Sequence, residues 1–335
     1  MRLRLSVFLF LVFLLLTGWG HWGPKVKIGL ALDNSQDREP LVQKLREAME
    51  ENRAELLVKD AKRDTAAQEG QVQDLIRQGI QALVVIPCDA SKATSLVNMA
   101  HQAGIKVISL ERLIPGSDLD YLVGFNNVKA GELQVQALVR KVPKGRYVLL
   151  GGNPAEGISK DLREGQMKML QPLIDRGELQ IAASRRATAP ETPSGASKEM
   201  EAILAREKNK VDAVLTSDRE AAEGAIRALE KVKLSGKVLV VGLGEDLATC
   251  RRIASGSQLM TVYHSSKKLA EETAYLAAKL ARKATQFDCQ FVEVDNGSKK
   301  VQAVLLTPMA VDAKNLDSTV IKDNVQKKED VNNNK

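Results

Sequence analysis

From residue 25 onward, short continuous runs of apolar residues alternate with stretches in which apolar residues recur every three or four positions. The runs VKIGLAL (26–32), AELLVKDA (54–61), ALVVIP (82–87) and IKVISL (105–110) read as buried strands. Between them, PLVQKLREAMEENR (40–53) puts Leu41, Leu45 and Met49 on one helical face, with Pro40 in the first turn where its missing N–H costs nothing. Helices over 65–78 and 91–103 end at Gly79 and Gly104, the residue type a left-handed helix cap favours. Strand and helix alternating in this way predict an α/β fold, a parallel sheet covered by helices on both faces.

The beat then repeats. YLVGF (121–125), RYVLLGG (146–152), ELQIAAS (178–184), VDAVLTS (211–217), KVLVVGLG (237–244) and LMTVY (259–263) are followed by helices over 128–141, 158–176, 197–208, 220–231, 247–255 and 267–283. That is about twice the content of one doubly wound sheet, so two similar lobes in tandem are predicted. QKKEDVNNNK, at 326–335, reads as a solvated, disordered tail.

Open parallel sheets collect ligands at the carboxyl ends of their strands. The residues just past each strand are Asp33 and Asn34, Cys88 and Asp89, Glu111 and Arg112, Asn126 and Asn127, Asn153, Arg185 and Arg186, Ser217 and Asp218, Glu245 and Asp246, and His264. This set is rich in planar groups able to make paired hydrogen bonds. Taken singly, Asp33, Asn34, Asn126, Asn127 and Asp218 also suit helix N-caps, and Glu111-Arg112 suits a surface salt bridge. Their recurrence at one edge of two sheets points to a polar cleft between lobes.

Composition changes this picture little. At 335 residues with 44% hydrophobic and 27% charged residues, the chain has material for two cores. Its formal charge of +7 is scattered over pairs such as Arg251-Arg252 and Lys267-Lys268, which argues against nucleic acid as a partner. Cys88, Cys250 and Cys289 have no paired spacing, and His21, His101 and His264 lie far apart, so no metal is expected. No G-x-G-x-x-G at a strand-to-helix turn, phosphate loop or G-x-S-x-G elbow occurs. The chain reads as a binding protein without cofactor, not an enzyme.

The first 24 residues differ. MRLRLSVFLFLVFLLLTGWGHWG carries Arg2 and Arg4 ahead of an apolar run from Leu5 to Leu16, with Gly18 and Gly20 as small residues for cleavage. Extended through Trp19 and Trp22, the same run reads as an uncleaved anchor with an aromatic belt. Both readings place the body of the protein outside the cytoplasm.

VKIGLALDN, VQDLIRQGIQALVVIP, AGIKVISLERLI, FNNVKAGELQVQALV, EGQMKML, AVLTSD, RRIASGSQLMTVY and LLTPMAVDAKNLDSTVIKD together resemble the type I periplasmic sugar-binding proteins, and among these the D-xylose-binding group of bacterial ABC transporters. The resemblance runs in order over residues 25–323. It implies two Rossmann-like lobes joined by a three-strand hinge and closing on a monosaccharide or sugar-like molecule, a monomer, and a membrane permease or receptor as partner. It implies residues 25–125 plus 265–290 for the N-terminal lobe and 126–264 plus 291–325 for the C-terminal lobe.

The same resemblance marks departures at the ligand contacts. The family's Asp-Arg after the fourth strand is Glu111-Arg112 here; its arginine and stacking tryptophan in the first loop are Glu39 and Pro40. Its Asn-Asp is Asp218-Arg219, its Gln-Asp is Leu243-Gly244 just before Glu245, and its lysine after the MTVY strand is His264. A second stacking tryptophan would fall in ASRRATA, which has no aromatic residue. The expected ligand-binding set is therefore Asp33, Asn34, Glu39, Glu111, Arg112, Asp218, Arg219, Glu245 and His264, a family site with rewritten contacts. Two functions are carried forward: the binding subunit of a carbohydrate importer, and a membrane-tethered sensory or docking module that keeps the flytrap shape with an eroded site.

Overall fold

The computed structural model describes residues 25–152, 157–184 and 192–333. The N-terminal signal or anchor, Asn153, Arg185 and Arg186 lie outside the described residues. Within them no helix is long and apolar enough to cross a membrane.

Two parallel-rich sheets form the centre of two lobes. The first uses β1 (Val26–Leu32), β2 (Ala54–Asp60), β3 (Ala82–Val85), β4 (Lys106–Leu110), β5 (Tyr121–Phe125), β11 (Val292–Asp295) and β12 (Lys300–Leu306) in the order β11-β12-β5-β4-β3-β1-β2. The second uses β6 (Gly145–Leu150), β7 (Leu179–Ser184), β8 (Ala213–Thr216), β9 (Leu239–Leu243), β10 (Met260–Tyr263) and β13 (Met309–Val311) in the order β13-β10-β9-β8-β6-β7. β11 and β13 are the antiparallel edges. In both sheets the strand order reverses once, between β1 and β3 and between β6 and β8, and such switch points open a crevice at the carboxyl edge.

The helices are α1 (Ser35–Glu51), α2 (Thr65–Arg77), α3 (Thr94–Gln102), α4 (Asn127–Val139), α5 (Gly157–Asp175), α6 (Pro193–Arg206), α7 (Arg219–Lys231), α8 (Leu247–Ser255), α9 (Ser266–Ala281) and α10 (Lys328–Asn332). Each sheet separates two apolar clusters. In the first lobe, Leu41, Leu45 and Met49 of α1 join Ile28, Leu30 and α9 on one side, while Val72, Leu75 and Val97 fill the other. In the second, Met200 and Ile203 with Ala225 and Leu229 cover one face, and Val135, Leu138, Leu162 and Leu170 the other.

Three segments cross between lobes: after β5 at Phe125, after β10 at Tyr263, and after β12 at Leu306. They are linked to one another, since the Asn126 N–H donates to the Leu306 carbonyl at 2.9 Å and the His264 ring stacks on Phe125 at 4.2 Å. Asp323 ties the return segment down by accepting from Tyr263 Oη and Ser265 Oγ at 2.8 and 2.9 Å.

Three expectations change. Residues 292–306 belong to the N-terminal lobe, not the C-terminal one: β12 pairs in parallel with β5 from Gln302↔Tyr121 to Leu306↔Phe125, and Val301 and Ala303 are buried in that lobe's core. The tail is not wholly solvated, because Val331 of α10 is buried with Cys250, Leu316 and Val320, and Arg251 Nε donates to the Asp330 carbonyl at 2.9 Å. Finally, α1 begins at Ser35 rather than at Pro40, because Asn34 in extended conformation accepts from the Gln36 N–H and starts the helix five residues earlier. All three cysteines are free thiols.

Candidate functional site

A cavity of about 770 Å³ opens at the carboxyl edges of the two sheets. Its lining includes Asp33, Gln36, Arg38, Arg63 and Arg112 from the N-terminal lobe and Arg219 from the other. The volume is within the range of small-ligand pockets, roughly 300–1,000 Å³.

The N-terminal wall is built around one carboxylate. Asp33 follows β1 and is buried; its Oδ1 lies 3.4 Å from Arg38 Nε and its Oδ2 3.3 Å from an Arg112 terminal nitrogen. Arg112 also donates to the Pro87 carbonyl at 2.7 Å, so β3 and β1 together hold its guanidinium plane. Arg38 reaches from the first turn of α1 to pair with Glu111 as well. Burial pulls the Arg38 guanidinium pKa down, but Glu111 and Asp33 outweigh that and hold it above the ordinary arginine value.

Glu111 adopts φ 64°, a left-handed conformation unusual for a residue other than glycine. The bend is fixed from both sides, by the Glu111 N–H donating to the Val123 carbonyl at 2.8 Å and by Ser109 Oγ donating to the Arg112 carbonyl at 2.5 Å. It turns the chain sharply at the end of β4, so Glu111 and Arg112 project at the cleft edge. Beneath the wall, the buried Gln68 amide donates to the Ile86 carbonyl and accepts from the Cys88 N–H, both at 2.9 Å, which sets the β3 end.

The C-terminal wall is mostly helix caps. Asp218 accepts from the Ala221 N–H at 2.7 Å and Asp246 from the Thr249 N–H at 3.0 Å. Glu245, next to Asp246 and partly buried, has its carboxyl pKa pushed up to about 7 by burial first, then by Asp246 and by Glu111 across the cleft, against Arg219. His264 sits on the second hinge crossing, not in the cavity lining; its ring is stacked on Phe125, and burial lowers its pKa to about 4.

Of the expected set, the structure brings Asp33, Arg112 and Arg219 into the lining, with Glu111 and Glu245 charge-coupled across it. Asn34 and Asp218 are helix caps. Glu39 is exposed and points away, and Arg38 takes its place because the earlier start of α1 sets a different helical phase. Gln36 and Arg63 were also missed. Arg63 follows β2, the neighbour of β1, and its N–H donates to the Asp33 carbonyl at 2.6 Å; including the β2 end among the strand ends would have found it.

Residues 28–285 match the periplasmic binding protein domain. The chain is 39% identical over 312 residues to a D-xylose-binding periplasmic protein of Haemophilus influenzae, covering 91% of this chain and 92% of that protein. It is 38% identical over 324 residues to a D-xylose-binding periplasmic protein of Escherichia coli, covering 95% and 96%. Among solved structures, an ABC transporter solute-binding protein from Clostridium phytofermentans with bound β-D-glucose superposes with a TM-score of 0.77 at 23% identity, over 91% of this chain and 99% of that one. At that identity the likeness speaks for the fold.

Proposed function

We propose that this chain, which belongs to the periplasmic binding protein family, is the extracytoplasmic substrate-binding subunit of an ABC-type carbohydrate importer, with a ligand site rewritten relative to its D-xylose-binding relatives. The observation that carries the reading is the cavity at the switch points of both sheets, lined from both lobes, in a chain matching those relatives over more than nine-tenths of its length. The role is capture and delivery rather than chemistry. A ligand bridging Asp33 and Arg112 on one wall and Arg219 on the other would favour the closed state by contacts the open state lacks, presenting a composite surface to a permease.

Two features support a rewritten site: Glu111, standing where the family has aspartate, is salt-linked to Arg38, and Pro40 lines the cavity where the family places a stacking tryptophan. The test is thermal unfolding of the purified protein against D-xylose, other pentoses and hexoses, inositols and sugar acids. Ligand at about 100 times its dissociation constant should stabilise by about 2.7 kcal/mol and move the midpoint by a few degrees. A shift with D-xylose equal to that of its relatives would overturn the rewriting. Silence across the panel would overturn the importer reading in favour of a docking module.

A further inference from the structure

Glu245 stands apart from the other acids around the cavity. On the N-terminal wall Asp33 and Glu111 are engaged by Arg38 and Arg112. On the C-terminal wall Asp218 accepts from the Ala221 N–H at 2.7 Å and from Ser217 Oγ at 2.6 Å, and Glu220 pairs with Arg219 at 2.5 Å. Asp246 accepts from the N–H and Oγ1 of Thr249 at 3.0 and 2.6 Å. The Glu245 carboxyl, by contrast, has no hydrogen-bond or ion-pair partner among the described residues. Its main chain is nevertheless held on both sides. Gly244 turns the chain at φ 134°, donates its N–H to the Val262 carbonyl at 3.2 Å and accepts from Thr261 Oγ1 at 2.7 Å. The Glu245 carbonyl accepts from the Gln326 amide at 3.1 Å and lies 3.7 Å from Cys250 Sγ. A fixed backbone thus presents one unengaged carboxyl at the cleft, where Glu111 of the opposite wall is near enough to act on its charge.

We propose that Glu245 is the specificity-determining contact of the C-terminal wall, an uncharged carboxyl that binds two adjacent hydroxyls of a neutral sugar and makes capture depend on a proton. The inference rests on the binding-protein reading above and deepens it. An uncharged carboxyl donates one O–H and accepts at its other oxygen, so it meets one hydroxyl as donor and the next as acceptor, whereas a carboxylate only accepts. The charged and titratable groups facing Glu245 are Asp246 and Cys250 at the start of α8, Tyr263 of β10, Arg219 of α7 and Glu111 from the other lobe. Burial first, then Asp246 and Glu111, disfavour charge on Glu245, and Arg219, already paired with Glu220, offsets them only in part. Burial also raises the Cys250 thiol, to about 12, and the Tyr263 phenol, so both stay protonated near neutral pH. Closing the lobes brings Glu111 nearer and excludes water, and both changes favour the uncharged form further. Above pH 7 the open protein has lost this proton and the closed complex regains it from solvent. His264, with its pKa near 4, titrates below that window.

The experiment is calorimetric titration of the whole protein, between about pH 6 and 8.5, with D-xylose, D-ribose, D-glucose, D-galactose and myo-inositol, each in two buffers of different ionisation enthalpy. At least one should bind with an affinity that is nearly level up to about pH 6.5 and about tenfold weaker by about pH 8.5, and at about pH 8 its binding should take up about one proton. Glu245→Gln keeps a donor and an acceptor but cannot ionise; at about pH 6 it should bind about threefold more weakly, with the pH slope and the proton uptake both gone. Glu245→Ala, which keeps neither group, should bind about tenfold or more weakly at the same pH. An affinity that is level or rises with pH would overturn the uncharged carboxyl and leave the importer reading standing. A slope that survives in Glu245→Gln would place the proton elsewhere and overturn the inference, as would a Glu245→Ala protein that binds like the wild type. No binding by any of the five would overturn both the inference and the reading beneath it.

Discussion

The two lobes share a sheet topology and an internal support, yet they face the cleft differently. Each buries a glutamine under its strand ends: Gln68 of α2 spans the ends of β1 and β3, and Gln134 of α4 donates to the Thr216 and Gly242 carbonyls at 3.0 Å each while accepting from the buried Gln166 at 2.7 Å. Above that common device, the N-terminal lobe displays a cross-linked set of charges, and the C-terminal lobe spends its aspartates on capping α7 and α8. Scaffold and recognition are thus separable. The deep amides keep the strand ends at a fixed spacing, and the loops above them decide what is bound.

The largest expected effect is in how tightly the helices pack. In the C-terminal lobe α4 and α5 approach so closely that a Cβ on Gly165 would lie 1.8 Å from the Val128 carbonyl oxygen, and one on Gly131 2.1 Å from that of Leu162. Backbone cannot yield as a side chain does, so Gly165→Ala should cost on the order of 3–5 kcal/mol, read as a lowered urea midpoint. In the N-terminal lobe, a Cβ on Gly29 meets the end of the flexible Ile80 side chain at 2.7 Å, and Gly29→Ala should cost only about 1 kcal/mol. Equal costs would erase this difference between the lobes.

The next test concerns the shared support. Gln134→Leu would leave the Thr216 and Gly242 carbonyls and the Gln166 amide without their partner, and should destabilise by about 2–4 kcal/mol. Gln68→Leu should fall in the same range, since it strands the Ile86 carbonyl and the Cys88 N–H. Denaturant unfolding of the pair sharpens the comparison: one silent variant would mean that only one lobe relies on the device.

At the cleft surface the lobes should diverge again. Asp33→Asn removes the charge between two guanidiniums and should cost about 1–3 kcal/mol in stability, measured by thermal unfolding. Asp218→Asn keeps a side-chain oxygen for the Ala221 N–H and should be neutral within about 0.5 kcal/mol. A costly Asp218→Asn would show that the second wall is also held by charge.

How far the sequence foretold this depends on the kind of information needed. Buried parallel strands are continuous apolar runs and their covering helices are periodic, so β1 to β10 and α1 to α9 were legible within a few residues. β11 to β13 were not. FVEVDNGSKKVQAVLL alternates only weakly, and the lobe that receives β12 is decided by its pairing with β5, which no local pattern records. At the site, strand ends found Asp33, Glu111, Arg112 and Glu245, because topology fixes them. Arg38 was hidden by the start of α1: with the helix begun at Pro40 the preceding residues have no phase, whereas a cap at Asn34 turns Arg38 inward and Glu39 out. His264 lay where the strand-end rule put it, but the hinge crossing lays its ring on Phe125 instead of in the cavity.

Glu245 on the cleft wall and His264 on the hinge give the smallest and most discriminating prediction. Glu245 has a folded pKa near 7 against an ordinary 4.5, so between those values the folded state holds a proton the unfolded state has lost, and stability falls as pH rises through the window. His264 has a folded pKa near 4 against 6.5, so its contribution is complete above 6.5 and is lost as pH falls toward 4. From about pH 4.5 to 6.5 the two slopes oppose one another, and the contribution of this pair to the wild-type protein's stability should be flat. Glu245→Gln should leave the histidine slope alone, with stability rising by about 1–2 kcal/mol across that range, and His264→Gln should reveal the opposite fall. Thermal midpoints at several pH values decide it: parallel profiles for the two variants would mean that the cleft carboxyl and the hinge imidazole do not titrate as their burial requires.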